Sequence, residues 1–233
     1  MTAASARVVP AAALPIRALA FDLDGTLVDS AADIGHALNE ALRAAGLDGF
    51  DLPQVRQWIG DGPDLLIQRA LHALGRDTPP RLLRTLRESF DRVTLHAPLA
   101  HGAVYEGVPA LLQRLRGTWP LAVATNKPSR LARAVLDAAG ILPYFTVVHG
   151  ADSAAQRKPA PALLQRVAQE LDVPLPQLLM VGDSAADVGA AAAAGAPSAF
   201  AAWGYGATHP LPAAPRWRVE RPSDLLRLLG AGG

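Results

Sequence analysis

Asp22 and Asp24 stand two residues apart at the end of the apolar run Ala18–Leu23. Side chains of an extended segment repeat every second residue, so both carboxylates lean to one side. A short apolar run bounded by Gly25 and Thr26 suits a parallel strand covered on both faces. Open α/β sheets bind ligands outside the carboxyl ends of such strands, so two acids there are placed for chemistry. Three further places repeat the arrangement. Thr125 and Asn126 follow the apolar run Leu121–Ala124 and offer a hydroxyl and an amide, neutral groups able to hold anionic oxygens. Lys158 precedes Pro159 in the loop after the next apolar run, and Asp183 follows the run Leu178–Val181. Ser184 and Asp187 come next, spaced as a helix capping box; Asp187 is equally placed to support the acids from behind.

Periodicity predicts the elements that hold these groups. Ser30–Asp33 has the form of a capping box, and Ile34, Ala37, Leu38, Ala41, Leu42 and Ala45 recur at helical spacing up to Gly46. Asp51-Leu-Pro53 opens a short second helix, and Gly60-Asp-Gly-Pro63 breaks it. Pro63 suits the first turn of a third, ending at Gly75, and Pro79-Pro80 lead a fourth with Leu82, Leu83, Leu86, Phe90 and Val93 on one face. Residues 30 to 98 thus read as all helical. From Val108 the pattern alternates: helix to Leu115, strand Leu121–Ala124, helix Ser129–Ala139, strand Phe145–Val148, helix Ala160–Leu171, strand Leu178–Val181, helix Ser184–Ala194 and strand Ser198–Ala202. Trp217–Val219 reads as an edge strand and Ser223–Leu229 as a last helix. The order predicts an α/β fold, a doubly wound, Rossmann-like parallel-sheet core with an inserted all-helical cap. The expected bounds are 17–29 and 103–233 for the core, 30–102 for the cap and 1–16 for a flexible tail.

Composition narrows the classes. Half of the 233 residues are apolar and the formal charge is only +1, with no basic run of the kind that marks a nucleic-acid binder. The absence of cysteine excludes disulfides, thiolate zinc sites and cysteine nucleophiles. The six histidines show no metal-binding spacing. No uninterrupted apolar segment suits a signal peptide or a membrane span, so a cytoplasmic protein with no membrane partner is expected. Monomer and homodimer both remain open.

Charge arithmetic asks for a cation. Carboxylates about 4 Å apart repel by about 4 kcal/mol per pair at an effective dielectric of 20. Asp22, Asp24 and Asp183 converging on one rim would push protons onto one another, and one lysine cannot neutralise three acids. A hard divalent ion with oxygen ligands can, and octahedral Mg2+ suits such a site.

Phe21-Asp-Leu-Asp-Gly-Thr-Leu27, Thr125-Asn126, Lys158 and Asp183, in that order on alternating strands and helices, resemble the four motifs of the haloacid-dehalogenase-like hydrolases. The resemblance implies a phosphate-monoester hydrolase with Asp22 as nucleophile, forming an aspartyl-phosphate, and Asp24 as the acid and base. Thr125, Asn126 and Lys158 would hold phosphoryl oxygens. Asp22, the main-chain carbonyl of Asp24 and Asp183 would hold Mg2+, and Asp187, with Ser184, would orient a metal-bound water or Lys158. An acid at the position of Asp24 separates phosphatases from the dehalogenases. Five segments look like the bacterial phosphoglycolate phosphatase branch: Asp22–Ser30, Val55–Gly62, Thr125–Pro128, Gln156–Pro159 and Trp203–Gly206. Glu106, Asp61 and Ala160 depart from its pattern, and Asp61 adds a negative charge near a carboxylate-bearing substrate. The loop Gly60-Asp61-Gly62, with Arg56 or Arg69, is the expected reader of a small phosphorylated metabolite, 2-phosphoglycolate on this resemblance. A sugar-phosphate phosphatase or phosphomutase is the alternative. A phospho-acceptor signalling domain gathers similar residues but is a single small domain, and a 70-residue helical insert has no place in it.

Overall fold

The structure, a computed structural model, describes residues 16–206 and 210–230. The expected tail, apart from Ile16, and His209 lie outside the described residues. The strands are β1 (Ala18–Phe21), β2 (Val28–Asp29), β3 (Ala103–Val104), β4 (Leu121–Thr125), β5 (Val147–Gly150), β6 (Leu178–Gly182), β7 (Ser198–Ala201) and β8 (Trp217–Val219). Six of them form one parallel sheet in the order β5-β4-β1-β6-β7-β8.

Period-2 alternation divides its core into two layers. Leu19, Phe21, Leu121, Val123, Leu179 and Val181 face one way, against α5 (Val108–Leu115), α6 (Ser129–Ala138) and α9 (Asp224–Leu228). Ala18, Ala20, Ala122, Ala124, Leu178 and Met180 face the other, against α7 (Ala162–Glu170) and α8 (Ala185–Ala194). Small side chains on this second face meet Ala190 and Ala191, so α8 packs close to the sheet. β1 is central; the chain adds β4 and β5 on one side of it, then returns to add β6 on the other. That reversal leaves a crevice beyond the carboxyl ends of β4, β1 and β6.

Between β2 and β3 the chain forms α1 (Ala31–Ala44), α2 (Leu52–Arg56), α3 (Pro63–Ala73) and α4 (Pro80–His96). They bury a separate cluster that includes Leu38, Leu42, Ile67, Leu71, Leu86 and Phe90. The antiparallel pair β2–β3 clamps the two points where the chain leaves and rejoins the sheet. Two residues are too few for a periodic signal, and periodicity did not predict this pair.

Two expectations need correction. β5 begins at Val147 rather than Phe145, because Leu142–Tyr144 forms a 3-10 turn and Phe145 packs edge-on against Phe21, ring centroids 6.3 Å apart. The capping box at Ser30 and Asp33 does not form. Ser30 turns its hydroxyl to Asp24, and Asp33 accepts the main-chain N–H groups of Ala100 (2.7 Å) and His101 (2.8 Å) across the junction. Asp33→Ala would strand both donors, and the urea midpoint is expected to report a loss of roughly 2–3 kcal/mol. Asp33→Asn, which keeps an acceptor, should lose less. No helix among the described residues is long and apolar enough to cross a membrane.

Candidate active site

Asp22 leaves β1 with its N–H bonded to Val181 O (2.9 Å), which holds it against the end of β6. Its side chain is buried, and so is the Lys158 ammonium that approaches it. Lys158 Nζ donates to Ala124 O (2.7 Å) and Asp187 Oδ1 (2.6 Å) and lies 2.9 Å from Asp22 Oδ1. The last contact has ion-pair distance without hydrogen-bond direction, so Asp22 Oδ1 has no hydrogen-bond partner. Lys158 owes its position to Asn126, whose Oδ1 accepts the Lys158 N–H (2.7 Å) and whose Nδ2 donates to Lys158 O (3.1 Å) and Gly60 O (2.9 Å). Both amide hydrogens are thereby used. Any share Asn126 takes in holding an anion falls to its main chain.

Asp183, beyond β6, accepts Thr26 Oγ1 (2.8 Å) and Tyr205 N (2.8 Å). Gly25 passes so close that a Cβ there would strike the Asp183 carboxylate, and its φ of +88° is one that favours glycine. Asp187 fills both roles left open by the sequence. Its Oδ2 closes the capping box with Ser184 N (2.9 Å) and Ser184 Oγ (2.6 Å), while Oδ1 accepts Lys158. Asp24 points elsewhere: Lys127 Nζ donates to both of its oxygens (2.9 and 3.0 Å), and Ser30 Oγ donates to Oδ1 (2.5 Å).

Four carboxylates thus meet two ammonium groups, not one, and a surplus of two negative charges remains. Burial, followed by repulsion from Asp187 and Asp22, pushes Asp183 up to about 8. Burial raises Asp22 to about 6 against the pull of Lys158, with Asp187 adding to the rise. Burial alone would lower Lys158, but Asp187 and Asp22 outweigh it and hold it at about 12. One oxygen each of Asp22, Asp183 and Asp187 lie within 4.8 Å of one another. An unpartnered buried carboxylate oxygen, an all-oxygen donor set and a surplus equal to one divalent charge fit a hard cation.

Thr125 is buried and lines a chamber with Asp22, Asp24, Asn126 and Lys127. Its far wall is Ile34, Ile59, Pro63, Leu66 and Phe90, with Gly60 and Gly62 at the edge. The chamber measures about 30 Å³. Gly62 has φ +83°, and a Cβ on it would come within 2.8 Å of Asn126 O, so this loop sits directly on the sheet's rim. Asp61 instead faces an adjoining channel of about 330 Å³ and is neutralised by Arg69, which also bonds Trp58 O (2.8 Å). Arg56 lines that channel too, 3.5 Å from Asp29 and stacked over Tyr205. Neither arginine lines the chamber.

Lys127, Thr26, Ser30 and Tyr205 were not predicted as site residues. Lys127 had a signal, since it adjoins Thr125 and Asn126. Tyr205 had only its place in the Trp203–Gly206 segment, since it lies 175 residues from the Ser30 N–H that its hydroxyl accepts.

Residues 16–195 match the haloacid dehalogenase-like hydrolase family. A phosphoglycolate phosphatase of Yersinia pseudotuberculosis is 39% identical over 82% of both chains. The crystal structure of a predicted phosphoglycolate phosphatase from Haemophilus somnus superposes with a TM-score of 0.84 at 30% identity, over 91% of this chain and 97% of that one. CbbY from Rhodobacter sphaeroides, solved with xylulose-(1,5)bisphosphate, gives 0.78 at 26% identity, over 90% and 96%.

Proposed function

The chain belongs to the haloacid dehalogenase-like hydrolases, and from that premise we propose that it hydrolyses 2-phosphoglycolate to glycolate and phosphate. The observation that carries the chemistry is a buried carboxylate, Asp22, with a free oxygen at the crevice, one ammonium beside it and a second acid two residues on. Asp22 attacks phosphorus, and Asp24 in its acid form protonates the departing alkoxide. Asp24 then takes a proton from the water that opens the aspartyl-phosphate, so one difficult displacement becomes two easier ones. Lys158, Thr125 and the Asn126 main chain hold the phosphoryl oxygens, preorganised to stabilise charge in the transition state. Bound Mg2+, held by Asp22, Asp183 and the Asp24 carbonyl, supplies the charge neutralisation that lets an anionic nucleophile meet an anionic ester. Asp187 and Ser184 orient Lys158 from behind.

The helices of 30–102 act as a cap over a core of 17–29 and 103–233, shutting water out of the chamber. The Asn126–Gly60 contact supports this reading, as does the ion pair of Arg157 with Asp64 (3.0 Å) across the seam. The small chamber and its apolar wall favour a leaving group of a few heavy atoms. A sugar would leave its hydroxyls unpaired there. The bisphosphate bound to the Rhodobacter relative favours the second reading, a sugar-phosphate hydrolase.

A panel of 2-phosphoglycolate, glucose phosphates and p-nitrophenyl phosphate, assayed with Mg2+, decides between them. The expected result is a kcat/KM for 2-phosphoglycolate at least about 10-fold above the others. Faster turnover of a glucose phosphate would hand the site to the sugar reading.

A further inference from the structure

We propose that Lys127 is the specificity-determining residue of this site, the cation that receives a carboxylate on the leaving group. The inference deepens the 2-phosphoglycolate reading and rests on it. Three observations converge. The chamber beside Asp22 and Asp24 has an apolar wall on its helical side, so a leaving group finds no side-chain hydrogen-bond partner there. Among the described residues lining it, Lys127 is the sole cation. The other cations nearby have other places: Lys158 donates to Ala124 O and Asp187 and pairs with Asp22 on the phosphoryl side, while Arg56 and Arg69 serve the adjoining channel.

Lys127 differs from all of these. Its ammonium is buried, with the side chain only 5% exposed, yet its side-chain hydrogen bonds are the two to Asp24. An ammonium carries three donors, so one direction is left over, next to the acid that meets the leaving oxygen. In 2-phosphoglycolate the carboxylate lies one carbon from that oxygen, so a cation adjoining Asp24 is at the right remove. Apolar walls strengthen the pair, because a charge–charge contact screened from water gains from the lower local dielectric. The same walls leave the hydroxyls of a larger leaving group without partners. An amine in that position would meet like charge.

The test needs no variant at first. Wild-type enzyme with Mg2+ should hydrolyse 2-phosphoglycolate faster than ethyl phosphate, its neutral counterpart, and ethyl phosphate faster than 2-aminoethyl phosphate. In Lys127→Gln the kcat/KM for every ester is expected to fall, because Asp24 loses its partner. The preference for 2-phosphoglycolate over ethyl phosphate should also collapse, by about 100-fold, and Lys127→Arg should restore part of it. A misplaced fold would depress all three esters alike and leave their order intact. If the wild type shows no preference for the carboxylate, the substrate reading and the role of Lys127 both fall. If the preference is present and survives in Lys127→Gln, only the assignment to Lys127 is overturned.

Discussion

Asp22→Asn is expected to lower kcat by roughly 10⁴-fold or more while leaving the protein folded. An amide matches the carboxylate in size but cannot attack phosphorus. The substitution should also raise the thermal midpoint of metal-free protein at pH 8. Asp22 is a buried anion whose ionisation is disfavoured first by desolvation and then by Asp187, with Lys158 only partly compensating. One of its oxygens has no hydrogen-bond partner to lose, and Lys158 keeps Asp187 and Ala124 O. Loss of activity with equal or greater stability would therefore mark a chemical role and exclude a structural one. Turnover within tenfold of wild type would remove Asp22 from the nucleophile's position. Persistence of phosphoryl label for many minutes after incubation with acetyl phosphate would point instead to a signalling domain.

A second large effect concerns pH and Mg2+ together. Folding raises Asp183 from 3.8 to about 8 and Asp22 from 3.8 to about 6. Between those values the folded chain binds more protons than the unfolded chain, so stability falls as pH rises through this window. Each pKa unit is worth about 1.4 kcal/mol, so metal-free protein should lose several kcal/mol between about pH 4 and pH 8, a large part of a typical domain's total. Asp183 titrates across the whole window, and Asp22 adds to the loss only up to about pH 6. A divalent cation bound there would stabilise the ionised site in place of protons. At about 100 times its dissociation constant it contributes roughly 2.7 kcal/mol, a rise in melting temperature of about 5–10 °C. Thermal melts with EDTA and with Mg2+ at pH 5 and pH 8 check this. The expected shift is large at pH 8 and small at pH 5, and Asp183→Asn should flatten the EDTA curve. Equal Mg2+ shifts at both pH values, or flat metal-free stability, would refute the linkage.

The gathering of polar residues at the rim was legible because most of them adjoin a strand end. Asp22, Thr125 and Asp183 inherit their positions from β1, β4 and β6, whose apolar runs are readable by composition alone. Helical spacing likewise marked α1, α3 and α4 and, with Gly62 and Pro63, the break between α2 and α3. The errors arose where a residue's partner lies outside its own element. Ser30 and Asp33 have the spacing of a capping box, but stronger partners, Asp24 and the N–H groups of Ala100 and His101, outcompete the local bond. Phe145 has strand propensity but is held outside the ladder by its contact with Phe21.

By itself, the sequence determined the order of the elements, the parallel sheet and the acids at its rim. Local periodicity and side-chain type encode those features within a few residues of one another. Only the tertiary structure decided how charge is distributed among them. The second ammonium, on Asp24, the commitment of both Asn126 hydrogens and the seat of Asp183 on Tyr205 all join residues more than twenty positions apart in the chain. Electrostatic interaction depends on distance in space and on burial, and neither is a property of neighbouring letters.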